Sequence, residues 1–134
     1  FENHPVTYVS WYGAAAFAGY YGWRLPTEWQ WQAVADFDGS YNYGCGLAID
    51  NSKANYRGSA HLQGTTEGGA FGTYGYGIAD MAGNVWEWTS TLSGNYRMLR
   101  GGSWYYSDYS SRVSARLGLY PYNMYYDSGF RVCH

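Results

Sequence analysis

The chain has 134 residues, enough for one compact domain, and aromatic side chains make up 22% of it while charged ones make up only 13%. A formal net charge of -2 and a pI near 5.8, with no lysine or arginine run, provide no field for a polyanion, so nucleic acid is not an expected partner. No apolar run approaches the length of a bilayer span, and membrane insertion is not expected either.

Along the chain, Ser10 is placed to cap a helix at about 11 to 21, with Trp11, Ala15 and Ala18 on one face and Gly22 suited to a left-handed stop. A second helix is expected at about 28 to 37. Thr27 and Gln30 have the spacing of a capping box, Pro26 prevents an earlier start, and Trp29, Ala33 and Phe37 recur at i, i+4 and i+8. From 39 to 77 the sequence is rich in Gly, Asn, Ser and Tyr without a sustained period, which predicts long loops. Loops of that length need a tie, either a metal ion or dense side-chain hydrogen bonding. Short strands are expected at "VWEWTS", "RMLRGG" and "GFRVC". In "RVSARLGL", Val113, Ala115, Leu117 and Leu119 alternate with Arg112, Ser114, Arg116 and Gly118, the pattern of a half-buried strand over 112–119.

Cys45 and Cys133 are either one disulfide or two thiols, and two cysteines are too few for a secreted disulfide framework. His4, His61 and His134 lack metal-ligand spacing and read as surface or packing residues. In "DMAGNVWEW", residues 80–88, Asp80 and Glu87 bracket a Gly-Asn turn. That mixture of carboxylate and carbonyl oxygens suits a hard cation such as calcium, and equally suits a tight turn whose glutamate bonds backbone amides. In "GGSWYYSDYSSR", residues 101–112, Tyr105, Tyr106 and Tyr109 follow no period that would bury them.

The segments "PVTYVSW", "GWRLPTEWQWQAVA", "YGIADMAGNVWEWTS", "LRGGSW", "SAR" and "GFRV" occur in that order, and together the chain resembles the formylglycine-generating-enzyme branch of the C-type lectin fold. The resemblance implies an α+β domain with two helices, a small twisted antiparallel sheet and long calcium-tied loops. It also implies a structural calcium held by Asp80, the carbonyls of Gly83 and Val85, and Glu87, with a second site beginning at Asn55 and the Tyr56 carbonyl. The oxidase members carry two copper-binding cysteines shortly after "RGGS", where this chain has Tyr106 and Ser111. A phenol and a hydroxyl cannot replace a soft thiolate pair, so catalysis is not expected. The Glu-Pro-Asn, Gln-Pro-Asp and Trp-Asn-Asp motifs of calcium-dependent lectins are absent from the sequence. Tyrosines can still stack on sugars, and a fixed carbohydrate-binding module stands as the alternative.

Within the fold family the tail is similar to the variable proteins of diversity-generating retroelements. There, adenine-directed mutagenesis turns AAC codons into NNC, which excludes Lys, Glu, Gln, Met and Trp. Between Tyr105 and Asp127 the only residue of that excluded set is Met124, and "LRGGSW", Arg112, Arg116, Pro121 and "GFRV" form a fixed skeleton around the tracts. The resemblance implies a ligand-recognition protein with a variable surface at about 105–127. Its members would be Tyr105, Tyr106, Ser107, Asp108, Tyr109, Leu119, Tyr120, Tyr122, Asn123, Tyr125, Tyr126 and Asp127. The tyrosines are expected to lie exposed, and Leu119 is expected on display although its alternation with Val113 and Ala115 would bury it. Leu117 stays open between the two. The implied partner is a protein or another macromolecule, for instance on a cell surface, and a place on a phage particle, a virus particle or a cell surface is compatible with that role.

Overall fold

Ser10 starts the first helix, α1 (Trp11–Tyr20), by accepting a hydrogen bond from the Gly13 amide at 3.0 Å. The helix stops where Gly22 takes φ +74°, the left-handed conformation that glycine adopts without steric cost. The structure, a computed structural model, describes residues 2–61 and 63–134. Ala14 and Ala18 are the buried positions of α1, and Trp11 and Ala15 pack partly against the core beside them. The Trp11 indole N–H also donates to the Thr89 carbonyl at 2.9 Å, which fastens the helix across the sheet.

The second helix, α2 (Glu28–Ala35), carries the capping box that Thr27 and Gln30 predict, with both reciprocal bonds made, at 3.2 and 3.0 Å. Its buried face differs from the expected one. Trp29 is 60% exposed and Ala33 is exposed, while Glu28, Trp31 and Ala35 are buried. Pairing explains the reversal. Arg100 and Arg116 each bond the Glu28 carboxylate at 2.7 Å, and the Trp31 indole N–H donates to Glu87 at 2.8 Å, so a charged residue and a tryptophan enter the core with partners. Trp29 stays outside, with the guanidinium groups of Arg100 and Arg116 at 5.3 and 5.7 Å from its ring. Phe37, the third expected core position, lies past the helix at φ +47° and packs on Tyr41 and Tyr76.

Four strands form one sheet: β1 (Trp86–Ser93), β2 (Tyr96–Arg100), β3 (Leu117–Leu119) and β4 (Ser128–Phe130), in the order β3-β2-β1-β4. The β1–β2 and β2–β3 pairs are antiparallel, but β4 runs parallel to β1, so the sheet is mixed where a purely antiparallel one was expected. The connection from β1 to β4, residues 94–127, runs out through β2 and β3 and back, and so provides the long crossover that a parallel pair requires and a hairpin cannot give. The strand expected over 112–119 shrinks to its last three residues. Asp108–Ser111 form a 3-10 turn, and Val113 gives its amide to the Asn42 carbonyl at 2.9 Å rather than to β2.

Trp86, Trp88 and Leu99 meet Ala14 and Leu25 in the main core, and Trp31, Ala35, Met81 and Val113 form a second cluster under α2. Among the described residues between 39 and 77 there is no helix or paired strand, only isolated bridges. Side-chain amides tie this region down. Asn84 bonds both the amide and the carbonyl of Thr66, at 2.9 and 3.1 Å, and Asn55 donates to the Gly64 carbonyl at 2.8 Å. Both cysteines are free, and burial pushes the Cys45 thiol up to about 11. The three histidines make ordinary contacts: His4 to Thr65, His61 to the Asn51 carbonyl, and His134 edge-on to Trp23.

Candidate functional site

The tract from Tyr105 to Tyr126 is held at both ends by one buried bond. The Ser103 hydroxyl, fully buried, donates to the Asp127 carboxylate at 2.7 Å and accepts the Tyr105 amide at 3.2 Å. Before it, Gly102 has φ +75°, and a Cβ there would lie 2.8 Å from the Ser110 carbonyl, so glycine is what lets the 3-10 turn fold back on the end of β2. Between those ends the main chain is tied to the rest of the molecule by main-chain bonds. Carbonyls of Tyr106, Tyr125 and Pro121 accept the amides of Arg57, Tyr8 and Trp11 at 2.9, 2.9 and 3.0 Å. Such bonds do not depend on which side chain each residue carries, so these positions can change without losing their anchors.

Tyr105, Tyr106, Tyr109, Tyr120, Tyr122, Tyr125 and Tyr126 are all exposed, with Tyr109 and Tyr122 the most open at 63% and 64%. They sit on one another. Tyr105 and Tyr126 meet edge to face at 5.6 Å beside Trp104, while Tyr120 lies parallel to Tyr122, 3° apart in plane, and against Tyr96 at 4.8 Å. Asp108 is exposed, and Arg112 stacks over the Tyr109 ring at 4.0 Å. Ser107 and Asn123 are half-buried, and the Asn123 carboxamide accepts the Tyr120 amide at 2.9 Å.

Of the expected display positions, Asp127 is buried and Leu119 packs into the core. Asp127 is only 6% exposed, because its carboxylate closes the tract on Ser103, and burial raises its carboxyl above the usual range despite that bond. Leu119 is half-buried against the tryptophan core, as Leu117 is, because both lie in β3 and pair with β2. Other neighbours of the surface have no local sequence signal. Tyr8, Tyr56 and Arg57 line a cavity of about 680 Å3 that Trp104, Tyr105 and Tyr126 close from the other side, and Tyr96 extends the Tyr120–Tyr122 stack. Long-range folding of the segment before α1, the 39–77 loops and the β1–β2 turn brings them there.

Asp80, Gly83, Val85 and Glu87 line one small cavity of about 180 Å3, together with Asn84 and Arg131. Glu87 is not bonded to backbone amides. Arg131 holds both of its oxygens, at 2.6 and 2.7 Å, and Trp31 donates to one of them. Asp80 has φ +58° and accepts the Gly69 amide at 2.7 Å. Burial pushes its carboxyl up, and the Gly69 bond and the Arg131 charge offset this only in part. The donors are of the hard oxygen type that calcium takes, and Asp80 is the carboxylate there whose charge the protein leaves least compensated. At the proposed start of the second site, the Asn55 side chain donates its Nδ2 to the Gly64 carbonyl, which leaves its Oδ1 as the oxygen a cation would take. Tyr106 and Ser111 are separated in character: Tyr106 is exposed, edge-on to Trp86, and Ser111 is fully buried.

Comparison with known proteins places this geometry in a family. The sulfatase-modifying factor enzyme 1-like domain matches residues 1–134. The serine/threonine-protein kinase pkn1 of Chlamydia caviae is 37% identical over 126 residues, 78% of this chain and 20% of the relative. The formylglycine-generating enzyme of Thermomonospora curvata is 36% identical over 99 residues, covering 64% of this chain and 33% of that enzyme. The chain thus spans a third or less of either relative. Among solved structures, Treponema denticola variable protein 1 superposes with a TM-score of 0.87 at 23% identity, covering 97% of this chain and 70% of its own. The P3c variant of the Major Tropism Determinant does so at 0.69 and 20% identity, covering 92% and 37%. At these identities the likeness to the two structures is one of fold.

Proposed function

The chain belongs to the sulfatase-modifying factor enzyme 1-like family, and from that premise we propose that it is a non-catalytic recognition domain whose tyrosine-rich surface, written by a diversity-generating retroelement, binds a protein or another macromolecule. The observation that carries this reading is the division of labour at 105–126: exposed tyrosines stand on a backbone anchored by main-chain bonds. Tyrosine gives a large amphipathic contact area for only two side-chain torsions, and Ser, Asn and Asp add adaptable hydrogen bonds, as in an antibody paratope. The fold shared with the Treponema variable protein and the Major Tropism Determinant supports it.

Calcium belongs to the same proposal as a structural ion held by Asp80, Glu87 and the carbonyls of Gly83 and Val85, where it would balance the Asp80 charge. An oxidase reading is weakened by Tyr106 and Ser111, since neither offers copper a thiolate. Turnover of a cysteine peptide by the copper-treated protein would restore it. The parallel Tyr120 and Tyr122 rings keep stacking on a fixed carbohydrate as the second reading.

The gene supplies the deciding test. Codons for Tyr105, Tyr106, Tyr109, Tyr120, Tyr122, Tyr125 and Tyr126 should end in C. A near-identical template beside a reverse transcriptase gene should carry adenine wherever the two copies differ. Asp127, buried on Ser103, should be unchanged between sister genomes or change only to residues that keep the bond. An isolated gene with no template copy ends the retroelement reading.

A further inference from the structure

Of the seven arginines in the sequence, six have a partner within the chain. Arg24 bonds Gln30, Arg97 bonds the Ser90 carbonyl, Arg100 and Arg116 hold Glu28, Arg112 stacks on Tyr109, and Arg131 holds Glu87. Arg57 is the exception: among the described residues its guanidinium has neither an ion pair nor a hydrogen bond, and it lines the 680 Å3 cavity. Its position is fixed. The turn over 56–59 is closed by the Ser59 amide on the Tyr56 carbonyl at 3.0 Å, and Arg57 gives its own amide to the Tyr106 carbonyl at 2.9 Å. Exchange of the Tyr106 side chain would leave that bond in place.

The cavity wall is aromatic: Tyr8, Tyr56 and Trp104 from the frame, Tyr105 and Tyr126 from the tract. It carries no carboxylate. Its neutral polar groups are Gln63, the tyrosine hydroxyls, the Asn55 side chain, whose N–H is given to the Gly64 carbonyl, and His61, bonded to the Asn51 carbonyl. A neutral ligand would leave the guanidinium without a counter-ion. A carboxylate on an apolar or aromatic body would find a guanidinium fork and ring faces, in a volume of ordinary ligand-pocket size.

We infer that this cavity is an anchor pocket for an acidic side chain of a protein ligand, with Arg57 taking the carboxylate. It rests on the recognition reading above and deepens it, because the cation and three of those five rings belong to the frame. Every member of a diversified set would then keep the same acidic anchor while the tract tyrosines choose its surroundings.

A random linear peptide library displayed on phage, selected in parallel on the wild-type protein and on Arg57→Gln, tests this. Arg57 is exposed and, among the described residues, its guanidinium makes no hydrogen bond or ion pair, so both proteins should melt at about the same temperature. Wild type should enrich Asp or Glu next to an apolar or aromatic residue, and Arg57→Gln should lose that enrichment. A synthetic winner should bind Arg57→Gln about ten-fold more weakly, with Arg57→Lys retaining part of the affinity. Winners without acidic residues, acidic winners indifferent to Arg57→Gln, or no enrichment at all overturn the assignment. So does Arg57-dependent capture of sialylated glycans without acidic peptides, which gives the cation to a sugar. Winners that need Tyr109, Tyr120 and Tyr122 but not Arg57 leave the tyrosine surface standing and remove the pocket. Acidic winners that need Arg57 and none of those tyrosines do the reverse.

Discussion

Asp127 and Ser103 show how a single bond fixes what may vary around it. The Ser103 hydroxyl is fully buried and donates to Asp127 across the base of the tract. Asp127→Ala leaves that hydroxyl without its acceptor, at a cost of about 1–3 kcal/mol, whereas Asp127→Asn keeps an acceptor oxygen and should cost less. In thermal melts Asp127→Ala should lie several degrees below wild type and Asp127→Asn between the two. Equal melting of all three would mean that Asp127 is free to vary after all. By contrast, a combined change of Tyr109, Tyr122 and Tyr125 to Ser should move the melting temperature little, since exposed substitutions fall within about ±0.5 kcal/mol each. Collapse of that variant would make these residues part of the core.

At the level of elements, α2 is turned by its charges. Glu28 sits at 0% exposure under Arg100, itself buried, and half-exposed Arg116. Burial alone would push the Glu28 carboxyl up, but the hydrogen bonds and charges of the two arginines outweigh it and hold the group below its usual value. Glu28→Gln keeps the shape and removes the charge, leaving Arg100 buried without a counter-ion, and breaking such a pair costs about 3–5 kcal/mol. Urea unfolding should show this loss, and it should exceed that of Arg116→Gln, whose partner keeps Arg100. A loss below 1 kcal/mol in Glu28→Gln would mean that apolar contacts of Trp31, not the pair, orient the helix. The same arginines reach from the end of β2 and from the residue before β3, so α2 also ties the end of β2 to the middle of the tract.

For the whole molecule, four shifted carboxylates bear on the pH dependence in chelator: Asp80, Asp127, Glu28 and the exposed Asp50, which bonds from Ser52 hold below its usual value. Asp80 and Asp127 are raised, so their folded forms hold protons more tightly than the unfolded chain; the stability they provide is full at low pH and is lost as pH rises through their folded values. Glu28 is lowered, so its contribution is present above the ordinary carboxylate range and is lost as pH falls through its folded value. Metal-free protein should therefore gain stability as pH drops from neutrality, then lose it on further acidification. Calcium bound at Asp80 would keep that group charged, so added calcium should raise the melting temperature at neutral pH and flatten the gain on the acid side. Asp80→Ala, which removes the side-chain oxygen, should abolish the calcium response, whereas Asp80→Asn keeps an amide oxygen and should retain it. A calcium response that survives Asp80→Ala puts the ion elsewhere, and no response in wild type removes the structural-ion proposal.

Much of the frame was legible from residues alone because its signals are local. Ser10 and Gly22 bound α1, Thr27 and Gln30 start α2, and the ordered motifs through "GFRV" carry the family, each by a conformational preference or a spacing that holds within a few residues. Tyr105, Tyr106 and Tyr109 follow no period that would bury them, and the resemblance to the variable proteins implied the exposure that the tyrosines of the tract have. What tertiary structure alone decided is pairing over long separations. Glu28 meets arginines 72 and 88 residues away, which inverted the face of α2. Asp127 closes on Ser103 and β4 returns parallel to β1, neither with a local signal, while Leu119 is held in β3 as its alternation suggests and against the display that the resemblance implied. The cavity that joins Arg57 to Tyr105 is likewise a product of loop folding. Periodicity reports which residues prefer burial; which polar groups are buried with them depends on the partner that desolvation makes obligatory, and that partner is supplied by the fold.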